Sequence, residues 1–295
     1  MPVHPTPPLN TRPGEPLTKV ASTLGPLADL AGTWVGSGFI LISLPDFDST
    51  FPSTGPKDFR LKLNATREIL EFTPIGGPIP NRGSVTDLGN DTGQPDINLF
   101  GLTYLQRVSD LVTNEPLHIE PGIWINAPAT TVLPNQQATV VRMGTVPHGD
   151  SFLAQSTLVT TVAAGPTIQD VSSTPTGPGI TPGYLTPFTN PPLPPGILLP
   201  WVQNPNLALV AAIQGQTIIK TVVLVISTNP VGGIVNIPFV VSNANAIQLD
   251  AIFWIETVQQ SDGIEFLQLQ YTQTVILNFL GINWPHIAVA TLVKQ

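Results

Sequence analysis

Ile264-Glu-Phe-Leu-Gln-Leu-Gln-Tyr-Thr-Gln-Thr-Val-Ile-Leu-Asn-Phe279, then Leu280-Gly-Ile-Asn283, then Trp284-Pro-His-Ile-Ala-Val-Ala-Thr-Leu-Val-Lys-Gln295, is the stretch from which the fold is read. Leu267, Leu269, Tyr271, Val275, Leu277 and Phe279 share one side of a period-2 ribbon, and Gln268, Gln270, Thr272 and Thr274 share the other, which predicts a long, half-buried strand. Gly281 and Asn283 supply turn chemistry, and the chain returns as a second strand with His286, Ala288, Ala290 and Leu292 on one face. A histidine thus stands in line with two alanines. Small neighbours leave volume in front of an inward-pointing ring, which any bound molecule would need.

Working outward, the composition points the same way. The chain has 295 residues, 33 of them proline, and 10% are charged; soluble domains average about 5% proline and about 25% charge. Proline is tolerated at strand ends and in loops but not inside helices, so a loop-rich β protein is expected. A net charge of −8 and a pI near 4.8 offer no basic track for a phosphate backbone, so nucleic-acid binding is excluded. The absence of cysteine removes disulfides, thiolate metal sites and a cysteine nucleophile. The start, Met-Pro-Val-His-Pro-Thr-Pro-Pro, lacks the pattern of a signal peptide, and no run approaches the ~18 apolar residues of a membrane span. The expectation is a cytoplasmic chain with no transmembrane segment. A mean hydropathy of +0.22 with so little charge suggests a homo-oligomer or a large internal cavity.

Along the chain, residues 1–29 read as a proline-rich arm, with a short helix expected over Ser22 to Leu30. Residues 30–295 read as one barrel domain. Gly32, Gly36 and Gly38 around Trp34 allow a first strand to bend around an end plug formed by the tryptophan. Further strands are predicted over Asp58–Phe72, Leu99–Val108, Glu115–Asn126, Thr139–Thr145, Ser151–Val162, Asn206–Ile213, Gln216–Ser227, Ile234–Phe239 and Ala251–Gln259, with Asp262-Gly263 as a hairpin turn. Residues 164–206 are too proline-rich for a strand core, yet they carry Tyr184, Phe188 and Trp201, and so predict an ordered insertion serving as a lid or an oligomer contact. The fold class is all-β, an antiparallel calycin-like barrel of about ten strands.

Three segments, in order, resemble the nitrobindin-like haem-binding β-barrels, relatives of fatty-acid-binding proteins and lipocalins. Leu30-Ala-Gly-Thr-Trp34-Val-Gly36-Ser-Gly38 looks like that family's opening, Pro116-Leu-His118-Ile-Glu120-Pro-Gly122-Ile-Trp124 like its central strand, and His286-Ile-Ala-Val-Ala-Thr-Leu-Val-Lys294 like its last strand. Family barrels are much shorter, and the arm and insertion have no counterpart. The resemblance implies haem b (iron protoporphyrin IX) as cofactor, His286 as proximal iron ligand with Ala288 and Ala290 beside it, and a gaseous or small apolar ligand with peroxidase-like or nitric-oxide-binding reactivity. The second ring nitrogen of His286 would then bond a carbonyl or water. His118 is a distal or supporting candidate, or simply a structural partner of Glu120. His148 lies in a Pro-His-Gly turn, facing solvent or a propionate. His4 is discounted.

Arg60, Arg67, Arg107 and Arg142 are available propionate partners, each otherwise an outward strand residue, and Met143 is a gap-filler. Asp46 with Asp48, and Asp91 with Asp96, read as turn caps. No nucleophile elbow, phosphate-binding loop or dinucleotide fingerprint is present. Two readings remain beside haem: a cofactor-free barrel that binds or converts an apolar molecule such as a fatty acid, and a structural or assembly protein.

Overall fold

A computed structural model describes residues 22–46, 59–84, 93–132 and 135–295. The arm before Ser22, with His4, and the turn residues Asp48 and Asp91 lie outside these. Among the described residues twelve strands form: β1 (Gly32–Pro45), β2 (Phe59–Pro74), β3 (Ile79–Pro80), β4 (Asn98–Asp110), β5 (Pro116–Ala127), β6 (Thr139–Val146), β7 (Asp150–Val162), β8 (Thr217–Ser227), β9 (Gly233–Asn236), β10 (Asn245–Gln259), β11 (Glu265–Phe279) and β12 (Ile282–Lys294). Ten of them close into an antiparallel barrel in the order β2-β1-β12-β11-β10-β8-β7-β6-β5-β4, with β4 returning to β2; β3 and β9 are additions on β4 and β7. Closure leaves no long unpaired edge.

The glycines of β1 act as expected. A Cβ at Gly36 would stand 2.1 Å from the Thr291 carbonyl oxygen, and one at Gly38 would stand 2.3 Å from that of Val289, so β12 crosses here only because these side chains are absent. Ser22 to Leu30 winds into the expected short helical segment and seals one end of the barrel. Leu24, Leu27 and Leu30 are buried there beside Trp34, whose Nε1 donates to the Leu30 carbonyl at 2.7 Å.

Two apolar cores result, one on each side of the wall. The inner one fills the closed end with Trp34, Phe72, Leu102, Trp124, Phe253 and Leu292. The outer one lies between the wall and residues 168–209, where Tyr184, Phe188, Val202 and Leu209 cover Phe59, Trp284, Ile287 and Val289. The insertion carries α1 (Pro182–Leu185) and α2 (Leu199–Gln203), and α3 (Asn206–Ala212) follows it. Two expectations are corrected here. Asn206–Ile213 is a helix, because its alanines and leucines favour one and its buried face, Asn206 and Leu209, packs on the wall. The insertion is no lid, because its apolar groups are spent on the outside of the barrel. The helix α3 also covers the polar face of β11: Gln270 donates to the Leu209 carbonyl at 3.0 Å, and Gln268, Gln270 and Thr272 are all buried. That strand is covered on both faces. Among the described residues no helix is long and apolar enough to cross a membrane.

Candidate functional site

Opposite the sealed end the barrel is hollow. A cavity of about 580 Å³ is lined from β1, β2, β4 to β7 and β10 to β12, and from a short helix α4 (Pro238–Asn243) that follows β9. That volume lies in the ordinary range for small-molecule sites, about 300–1,000 Å³. The strand register places His286 opposite Val275, and Ala288 between Gln273 and Ile40; His286 and Ala288 both line the hollow. Ala290 does not. It packs between Gly38 and Tyr271, and the Tyr271 ring forms part of the cavity floor. The hollow therefore begins at the first alanine and stops short of the second.

The His286 ring makes no hydrogen bond to another described residue, so the carbonyl partner expected for its second nitrogen is not found. Burial, with smaller contributions from His118 and His148, lowers its pKa to about 3. At neutral pH it is an uncharged imidazole with a free lone pair, the form that binds a metal. No group of three or more His, Asp or Glu side chains suited to hold a bare metal ion occurs among the described residues.

His118 and His148 also line the cavity, their ring centroids 5.6 Å apart. His148 sits at the mouth on the β6–β7 turn, and its partly buried ring is pushed below the usual histidine range by desolvation and by His118. His118 Nε2 lies 3.4 Å from Glu120 Oε2. The other Glu120 oxygen accepts from Arg142 Nη2 at 2.5 Å and from the Tyr104 hydroxyl. Burial alone would raise the Glu120 pKa, but the Arg142 charge and His118 bring it down to about 2, so this acid is ionised throughout the neutral range.

Arg142 is not the outward residue expected from its strand position. It is fully buried, donates to Gln273 at 2.7 Å, and lies 5.2–5.5 Å from the centroids of Tyr104, Trp124, Phe152 and Phe253. Its donors are committed to the wall. Arg107 pairs with Glu71 on the surface. Of the four arginines, Arg60 lines the cavity, together with Lys62.

A second buried acid was not anticipated. Glu68 accepts from Tyr271 at 2.5 Å, Gln106 at 3.2 Å and Thr66 at 3.0 Å, and Gln106 also donates to the Tyr271 hydroxyl at 2.9 Å. Burial raises the Glu68 pKa against those hydrogen bonds. Tyr271, Gln106 and Gln273 make the cavity floor polar, whereas its walls are mostly aliphatic, interrupted by Arg60, Lys62, Asn64 and Asp150. The available signal was parity: Glu68 shares a face with Leu70 and Phe72, and Gln273 interrupts an apolar face between Tyr271 and Val275.

No protein-family model matches the chain, and neither does any curated protein sequence. Among solved structures it is similar to the crystal structure of Rv2717c from M. tuberculosis, at 16% sequence identity and a TM-score of 0.44, over 94% of this chain and 97% of that one.

Proposed function

We propose that this chain is a nitrobindin-like haem-binding barrel, with haem b held in the mouth cavity and His286 as its axial ligand. The observation that carries the reading is the His286 ring, neutral and free of described hydrogen-bond partners, on the wall of a largely aliphatic hollow beside Ala288. The residues fit the group: the aliphatic walls suit a porphyrin face, and Arg60 and Lys62 suit its propionates. Bound haem would supply reversible binding of a small gas such as nitric oxide, or peroxide activation. The chain's own contribution beyond His286 is His118, whose Nε2 faces the ionised Glu120 and so leaves Nδ1 as the ring nitrogen available to give or take a proton. Titration of the purified protein with haemin tests this. A Soret band that saturates at one equivalent and is lost in His286→Ala is the expected result; no band in the wild type overturns it.

The aliphatic walls formed by Ile40, Ile42, Leu44, Val108 and Leu277 favour a second reading, a cofactor-free site for an apolar molecule such as a fatty acid. A protein that ignores haemin and retains a lipophile through gel filtration would establish that alternative.

A further inference from the structure

Between Thr228 and Leu249 the sequence holds no Asp, Glu, Lys, Arg or His. This stretch runs from the end of β8 through β9 and α4 into β10, at the open end of the barrel. Its inward side chains Ile234, Val240 and Ala246 line the cavity. Outward it presents Val231, Val235, Ile237, Val241 and Ile247, with exposures from 47% at Ile247 to 75% at Val235, and Phe239, 72% exposed, stands at the lip and also lines the cavity. Ile247 is the extra residue of a bulge between Ala246 and Gln248. The exposure is built in: β9 is laddered to β7, Ile237 N donates to the Gly149 carbonyl at 2.9 Å, and Asn236 Nδ2 donates to that of Ala246 at 2.9 Å. Two more turns at the same end, β4–β5 and β11–β12, expose Leu111, Val112 and Leu280. Single exposed apolar residues are ordinary, but a cluster bordering a cavity mouth is an interaction surface.

We infer that this end of the barrel docks on a zwitterionic phospholipid bilayer through residues 228–249, so that an apolar ligand passes between membrane and cavity without crossing water. The proposal extends the cavity reading above by naming the phase that supplies the ligand. An uncharged segment enters the headgroup and acyl boundary with no charge to desolvate, and its large apolar side chains gain by burial there. The rim carries both signs, since Arg60 and Lys62 have no ion pair among the described residues and Asp46, Asp110 and Glu115 lie at the same end. Mixed signs suit a zwitterionic surface, whereas a chain of net charge −8 is repelled by an anionic one. A bilayer both covers the patch and holds apolar molecules.

Flotation with phosphatidylcholine vesicles tests the docking without any ligand present. The full chain is expected to float, the Val235→Asp/Val241→Asp variant to lose affinity by about tenfold or more, and Ile264→Asp, exposed at the sealed end, to float like the wild type. Val235 and Val241 do not line the cavity, so uptake of detergent-dispersed haemin or lipophile should be unchanged in the double variant. Docking that fails while uptake persists overturns this inference alone; uptake that fails while docking persists overturns only the cavity reading. Wild-type protein that stays unbound, or a double variant that floats equally well, refutes the docking. So does a dimer seen by light scattering that the double variant dissolves while vesicles bind neither form, which would assign the patch to a second copy.

Discussion

The two ends of this barrel share one wall and differ in what the side chains fill. At the sealed end Trp34, Trp124, Phe72 and Phe253 meet across the axis and Leu27 closes the gap, so the interior is packed solid. At the mouth the wall presents Val108 from β4, Val275 from β11 and His286 and Ala288 from β12, and a cavity remains. Between the ends lie the buried acids, Glu120 paired with Arg142 and Glu68 held by hydrogen bonds from Tyr271 and Gln106. A barrel of ten strands is too wide to fill with medium-sized side chains, so aromatic residues at one end and their absence at the other divide scaffold from site.

The largest effect is expected where the packing is densest. Trp124→Ala should cost about 3–5 kcal/mol of folding stability, read from the denaturation midpoint; a cost below about 1 kcal/mol would mean the sealed end is no scaffold. The outside of that end provides the next test. Glu256, buried on β10, accepts from Gln268 at 2.6 Å, and burial outweighs that bond to raise its pKa to about 7. Its folded pKa exceeds its unfolded one, so the fold prefers the protonated form, and stability should fall as pH rises from about 4.5 to about 7. Glu256→Gln should remove that fall and gain up to about 3 kcal/mol above pH 7, as measured by denaturation at both pH values; an unchanged pH profile would contradict the assignment. The smallest effect is reserved for the mouth. Ala288→Leu enters empty space and should shift stability by less than about 1 kcal/mol while abolishing ligand uptake. A large stability loss there would mean the hollow is not hollow.

Much of this architecture was legible. The alternation of β11 and β12, the glycines of β1 and the turn at Asp262-Gly263 each state a local preference that the fold keeps, because strand period and turn geometry are decided within a few residues. The cavity wall at His286 and Ala288 followed from the same periodicity. The placement of Ala290, Arg142 and the insertion did not, since each depends on what lies across the barrel or over it.

The amino-acid sequence by itself determined an all-β chain with a histidine facing small neighbours near its end, because period-2 patterning and proline frequency are local properties. Tertiary structure decided which side of the wall was inside. On β2 the apolar Phe59, Leu61 and Leu63 face outward beneath the insertion, while Arg60, Lys62 and Asn64 face the cavity. With apolar cover on the outside and a hollow within, polarity no longer marks the core, and only closure of the sheet tells the two faces apart.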